Sequence, residues 1–346
     1  MENPFTLSFG NKPFENISRN MEKDQLIVEI NLTNPVSHCF IISGVRGSGK
    51  TVLLSSIYKE MEKDKDWITI ELNSGKNIEE GLAAKLYTHA RVKHLFVEKN
   101  FNFSFQGFSF SIKGENPILN VEDLLERMFA ILKKQNKKVL VLIDEASPSK
   151  EMKEFALTFQ MLIRKEYGLF LIMTSLYENI SALENTKNLT FLIRAPKIYL
   201  SPLNISSIAS SFESTLKVNH AKALEFAYFT KGYAFAFQLL GYLLFKKEEK
   251  EIDASLLSDF DSYLKEYVYL NVYDDLTNVE KTILNSLDKN DNNEIKDILE
   301  KTNLKKEYFS KYRDRLIKKG ILYSPCYGIL SFSLPRMKEF LEGLYN

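Results

Sequence analysis

Residues 39–57, CFIISGVRGSGKTVLLSSI, restrict the possible folds more than any other stretch of the chain. The apolar run from Cys39 to Ile42 has the character of a buried strand and stops at Gly44. The spacing that follows is G-x-x-x-x-G-K-T, with Gly44, Gly47 and Gly49 leading to Lys50 and Thr51. Glycine lets the backbone turn tightly enough for successive N–H groups to converge on a chain of phosphates. Lys50 can then neutralise β and γ oxygens, and the Thr51 hydroxyl can ligate Mg2+. Val52, Leu53, Leu54 and Ile57 suit a helix whose N-terminal dipole faces the same anion.

A second stretch supplies the acids such a loop needs. In KKVLVLIDEASP, residues 137–148, Val139 to Ile143 form a continuous apolar strand, as expected of one buried on both faces, and it ends in Asp144 and Glu145. An aspartate there can hold Mg2+ through its hydration shell opposite Thr51. Glu145, the next residue, can polarise an attacking water. A chain meant only to hold nucleotide has no need of that second carboxylate.

The length of 346 residues allows two or three domains with their own cores. A net charge of +1 announces no nucleic-acid or membrane partner, so any such partner must be read from a local patch. The two cysteines, Cys39 and Cys326, have no metal-ligand spacing and fit a reducing compartment. The N-terminus has no basic segment followed by an apolar one, and no stretch reaches the roughly 18 apolar residues of a spanning helix. A cytoplasmic protein with no membrane partner is expected.

Other strands are expected at Trp67–Leu72, at Leu169–Met173 ending in Thr174 and Ser175, and at Ile198–Leu200, with Arg194 before the last. Helices are expected at 78–97, 121–134 and 150–167. The alternation implies a parallel sheet with ligand at the carboxyl ends of its strands, where the loop, the acids and Thr174 all fall. Thr174 has two readings, a hydroxyl reaching toward γ-phosphate and water, or a strand-terminal turn residue. Residues 101–112, FNFSFQGFSFSI, alternate phenylalanine with polar residues around Gln106-Gly107 and read as a hairpin, its phenylalanine face either packed on the body or free to stack on bases.

From Asn204 to about Tyr269 the pattern is helical, as in a lid. From about Asp275 three helices precede a hairpin around Tyr327-Gly328, the order of a winged helix-turn-helix, with Thr277 and Glu280 spaced as a capping box. Residues 301–346 hold ten Lys or Arg against four acids. Lys311, Arg315 and Lys318 fall on one side of the third helix, where contact with duplex DNA would need them. Winged helices also serve as docking modules for a protein partner, and both readings stand. The expected architecture is α/β: an ATPase core over 1–202, a helical lid over 203–272 and a winged helix over 273–346.

These residues together resemble the P-loop ATPases of the AAA+/STAND group, which includes archaeal-type ATPases and origin-recognition initiators. The resemblance rests on the Walker A loop GVRGSGKT, the strand VLVLIDEA, the segments FLIRAPKIYLSPL and GYAFAFQLLG, and the winged-helix stretch YRDRLIKKGIL. It implies a parallel-sheet P-loop NTPase of the ASCE type that binds ATP and Mg2+, acts as a slow ATPase and changes its oligomer with nucleotide. The nucleotide set it implies runs from Gly44 through Val45, Arg46, Gly47, Ser48, Gly49 and Lys50 to Thr51 and Val52. Ile17-Ser18-Arg19 stands where members carry a hydrophobic-Gly-Arg element near adenine, with serine for glycine, which makes Arg19 a nucleotide contact. Gly232-Tyr233-Ala234 stands where STAND members carry Gly-x-Pro and lacks the proline. Arg194 resembles the arginine that acts on γ-phosphate in cis or across a subunit boundary; a structural salt bridge is its alternative. Lys50, Thr174, Arg194 and Glu145 are the candidate catalytic residues, and Thr51 and Asp144 the metal ligands.

Overall fold

The computed structural model describes residues 2–7, 14–75, 77–97, 101–104, 109–112, 120–186, 189, 191–289 and 292–344. They form two compact units, one from residues 20–42 and 51–198, the other from residues 1–19, 43–50 and 199–346.

In chain order the first region holds α1 (Asn20–Asn31), β1 (Cys39–Ser43), α2 (Lys50–Met61), β2 (Trp67–Asn73), α3 (Ile78–Thr88) and α4 (Lys93–Val97). There follow β3 (Phe101–Ser104), β4 (Ser109–Ile112), α5 (Val121–Lys134), β5 (Lys138–Asp144), α6 (Lys150–Arg164), β6 (Leu169–Ser175), α7 (Tyr177–Glu184), α8 (Phe191–Arg194) and β7 (Lys197–Tyr199). Five strands make one parallel sheet in the order β2-β5-β6-β1-β7. The strand that ends in the acids is therefore separated from the loop strand by β6. Alternation along the strands divides the core between two faces. Val139, Val141 and Ile143 pack with Leu171 and Met173 against Leu82, Leu125, Phe129 and Phe159. Leu140, Leu142, Phe170 and Ile172, which point the other way, are equally buried. Burial on both sides explains why these strands read as unbroken apolar runs.

The helix expected over 78–97 breaks after Thr88, where His89 turns extended (φ −65, ψ 123). The turn lets the Arg91 guanidinium donate to the carbonyls of Asp64 at 2.7 Å and Trp67 at 2.8 Å, while Val92 and Phe96 enter the core. These distant partners outweigh the local helical pattern. The hairpin is antiparallel, with Phe103 opposite Phe110. Its Gln106-Gly107 turn and its side chains, and with them the choice between packing and stacking, lie outside the described residues.

The other unit continues with α9 (Ile205–Leu216), α10 (His220–Phe229), α11 (Ala234–Lys247), α12 (Ala254–Leu264), a π-helical turn at Lys265–Tyr269 and α13 (Leu270–Asp274). Then come α14 (Asn278–Ser286), β8 (Asn293–Glu294), α15 (Ile295–Thr302), α16 (Lys306–Lys318), β9 (Leu322–Tyr323), β10 (Ile329–Phe332) and α17 (Met337–Glu342). The last strands form a small sheet in the order β8-β10-β9, paired antiparallel. Side chains that bond the third residue of their helix start α9, α10 and α12: Asn204, Asn219 and Asp253 accept from the amides of Ser207, Lys222 and Leu256. One apolar core spans the unit, from Phe5, Phe212 and Phe237 to Phe309, Leu316 and Leu330.

A buried ion pair ties α14 to the end of α16. Glu280 is fully buried, accepts from the Thr277 amide and hydroxyl at 2.8 Å each, and lies 3.0 Å from Lys319 Nζ and 3.7 Å from Arg315 Nε. Burial pushes its carboxyl up, but the Thr277 amide and the Lys319 ammonium outweigh that and hold it below the ordinary glutamate range. Lys319→Met removes the nearer of the two cations, leaving Arg315 Nε at 3.7 Å, and should cost up to about 3–5 kcal/mol at neutral pH, read from the denaturant midpoint. Because the folded-state value is depressed, the pair's contribution is present above the unfolded value of about 4.3 and fades as pH falls through the folded one. The gap between variant and wild type should therefore narrow below about pH 4. Among the described residues no helix is long and apolar enough to cross a membrane.

Candidate functional site

The loop between β1 and α2 owes its path to two glycines in left-handed backbone, Gly47 at φ +72 and Gly49 at φ +91. A Cβ on Gly47 would sit 2.8 Å from Phe235 Cβ and against the Tyr233 hydroxyl, so contact with the start of α11 demands glycine as much as the turn does. The loop's carbonyls each meet a donor. Lys50 Nζ donates to Gly44 O at 2.8 Å and to Val45 O at 3.0 Å. The Tyr233 hydroxyl donates to Arg46 O at 2.5 Å, the Phe235 amide to Gly47 O at 3.0 Å, and Arg19 Nη2 to Ser48 O at 3.1 Å. Lys50 is buried, and the buried Ser48 hydroxyl finds no partner among the described residues. Val45 lies in the apolar core, and the Arg46 guanidinium stands 3.7 Å from Asp275 Oδ2.

The acids are held as tightly. Thr51 Oγ1 donates to Asp144 Oδ2 at 2.7 Å, and Thr174 Oγ1 donates to Asp144 Oδ1. The Glu145 amide donates to Thr174 Oγ1 at 2.9 Å and to Asp144 Oδ1 at 3.2 Å. Glu145 itself turns left-handed (φ 52), which leaves its side chain exposed while its backbone is fixed. Thr174 thus bridges the two acids from the end of β6, a use that follows from β6 lying next to β5. Val52 is half-buried in the first turn of α2.

The remaining candidates sit in different settings. Arg19 reaches the loop through the Ser48 carbonyl. Arg194 closes α8, three residues before β7 begins at Lys197, and its side chain is exposed with no hydrogen bond or ion pair among the described residues. On α16, Lys311 and Lys318 are exposed, whereas Arg315 is partly buried beside Glu280 and over the Tyr312 ring. Glu307 and Asp314 share the exposed stripe with Lys311 and Lys318, so its charges alternate in sign. Tyr233 and the Phe235 amide are loop partners that sequence reasoning missed. Gly232-Tyr233-Ala234 marked the place, but nothing in those letters shows that the phenol reaches a carbonyl 187 positions away.

A family described as a domain of unknown function, DUF8462, matches residues 266–341. No curated protein matches the chain. Among solved structures, a Walker-type ATPase of Pyrococcus abyssi superposes with a TM-score of 0.65 at 12% identity, covering 94% of this chain and 96% of that one. The ORC2 protein of Aeropyrum pernix, solved as ADPNP–ADP complexes, gives 0.54 at 13% identity over 97% of this chain and 96% of its own. Cdc6p from Pyrobaculum aerophilum gives 0.50 at 16% identity over 97% and 96%. At such identities the likeness speaks to fold: the chain has the parallel-sheet α/β fold of P-loop ATPases.

Proposed function

We propose that the chain binds ATP with Mg2+, hydrolyses it slowly, and uses the nucleotide state as a switch read by its C-terminal module. The observation that carries this reading is the Thr51–Asp144 hydrogen bond of 2.7 Å, which brings together a hydroxyl and a carboxylate that the chain separates by 93 positions. Those hard oxygen donors fit Mg2+, which when bound would supply charge neutralisation for β and γ oxygens. The amides from Gly47 to Val52 bind the phosphate chain, and Lys50 adds the positive charge. Glu145 takes the proton of the attacking water on its exposed carboxylate, while its backbone hydrogen bonds keep it in place. Arg19 braces the loop through the Ser48 carbonyl. Arg194, unpaired and exposed, is available to γ-phosphate in cis or across a subunit boundary.

In this reading residues 1–202 are the ATPase core, 203–272 the lid, and 273–346 a winged helix, whose order α14-β8-α15-α16-β9-β10 supports that description. ATP and ADP bias the lid differently, and the bias passes to the module. A second reading, contact with duplex DNA, draws on Lys305, Lys306, Lys311 and Lys318, which are exposed and form no ion pair among the described residues. A third is docking of a protein partner on the same module.

One experiment tests these together: calorimetry of the full chain with MgATP, then phosphate release with and without duplex DNA at low salt, recording subunit mass in each nucleotide state. Binding heat with slow release is expected, and release that rises with DNA favours the second reading. No heat and no phosphate would overturn the proposal.

A further inference from the structure

We propose that Tyr233 is a positioning residue for the phosphate loop: its hydroxyl, bonded to the Arg46 carbonyl, holds the loop in the conformation that receives a nucleoside di- or triphosphate. The inference rests on the reading of residues 44–51 as a phosphate site and names what keeps that site formed. For amides to converge on an anion, the carbonyls between them must turn away, and each then needs a donor on the outer side. Besides the loop's own Ser48 amide, which donates to Val45 O at 3.2 Å, the donors come from three sources. Lys50 serves Gly44 and Val45, Arg19 serves Ser48, and the start of α11 serves the two carbonyls at the loop's crest.

Of the two crest bonds, one comes from a backbone amide, that of Phe235, and the other from a side chain, that of Tyr233. Tyr233 is 5% exposed, and burial pushes its phenol far above the ordinary tyrosine range, so it remains a donor at any working pH. Its oxygen also stands where a Gly47 side chain would be. Loop crest and helix start are thus in van der Waals contact as well as hydrogen-bonded.

The test removes one oxygen. Y233F keeps the ring and its packing and leaves Arg46 O without its donor. The control is Y269F, the same change at another buried tyrosine of this unit, whose hydroxyl donates to Pro335 O and touches no loop carbonyl. With full-length protein, Y233F should weaken MgADP binding about tenfold and raise the KM for MgATP by a similar factor while leaving kcat within about twofold, a loss of the size of one hydrogen bond. Y269F should leave MgADP binding unchanged, whatever it does to the thermal midpoint. Wild-type affinity in Y233F, or equal weakening in Y269F, would overturn the inference while leaving the nucleotide site standing. Failure of wild type itself to bind MgADP or MgATP would overturn both.

Discussion

Lys50→Ala is expected to remove detectable MgATP binding, a loss of at least about a hundredfold in affinity measured by calorimetry. Two effects add in the same direction. The ammonium is the charge that would meet the β and γ oxygens, and an alanine leaves nothing in its place. The same group donates to Gly44 O and Val45 O at 2.8 and 3.0 Å, so its removal takes that donor from Gly44 O and leaves Val45 O with the Ser48 amide at 3.2 Å. A buried acceptor without a partner costs about 1–3 kcal/mol, enough to disturb the loop's path even before the charge is counted. Heat of the wild-type size in this variant would rule out the loop as the binding element.

Glu145→Gln should behave differently, with MgATP binding intact and turnover lowered about a hundredfold or more. The glutamine has the same shape, and the left-handed backbone at this position is held by the amide's bonds to Thr174 Oγ1 and Asp144 Oδ1, which the substitution leaves alone. What changes is basicity at an exposed side chain. Single-turnover phosphate release in the two proteins makes the comparison, and equal rates would remove Glu145 from the role of base. The contrast matters more than either number: Lys50 is expected to act on binding, Glu145 on chemistry.

The features legible in the sequence were those written in consecutive letters. GVRGSGKT specifies its turn locally, because Gly47 and Gly49 are needed for backbone reasons alone. VLVLIDE shows a strand buried on both faces and the acids at its end, and Thr277 with Glu280 shows a capping box that the fold contains. What escaped depends on partners distant in the chain. α1 leaves no apolar stripe to read, since Met21 and Val28 are exposed while only Leu26 and Ile30 are buried. β8 is two residues long and exists because Asn293 and Glu294 pair with Leu330 and Ile329. The break after Thr88 answers to carbonyls at 64 and 67. At α16, spacing placed Lys311, Arg315 and Lys318 on one side, yet it could not show that Arg315 lies beside the buried Glu280. Tyr233 is the clearest case, because its role is set by an oxygen atom's reach across the fold.

Val45 is counted among the residues of the phosphate loop and also among those of the apolar interior that runs to Phe309 and Leu330. Gly320, just past the end of α16, has no side chain where a Cβ would stand 3.7 Å from that of Val45. A Cβ there would meet Val45 only at ordinary contact distance, so glycine at 320 answers to its left-handed backbone (φ +76) and leaves room beside the loop. The path of the loop is therefore shaped in part by a residue 275 positions further along the chain, Gly320, which lies against Val45.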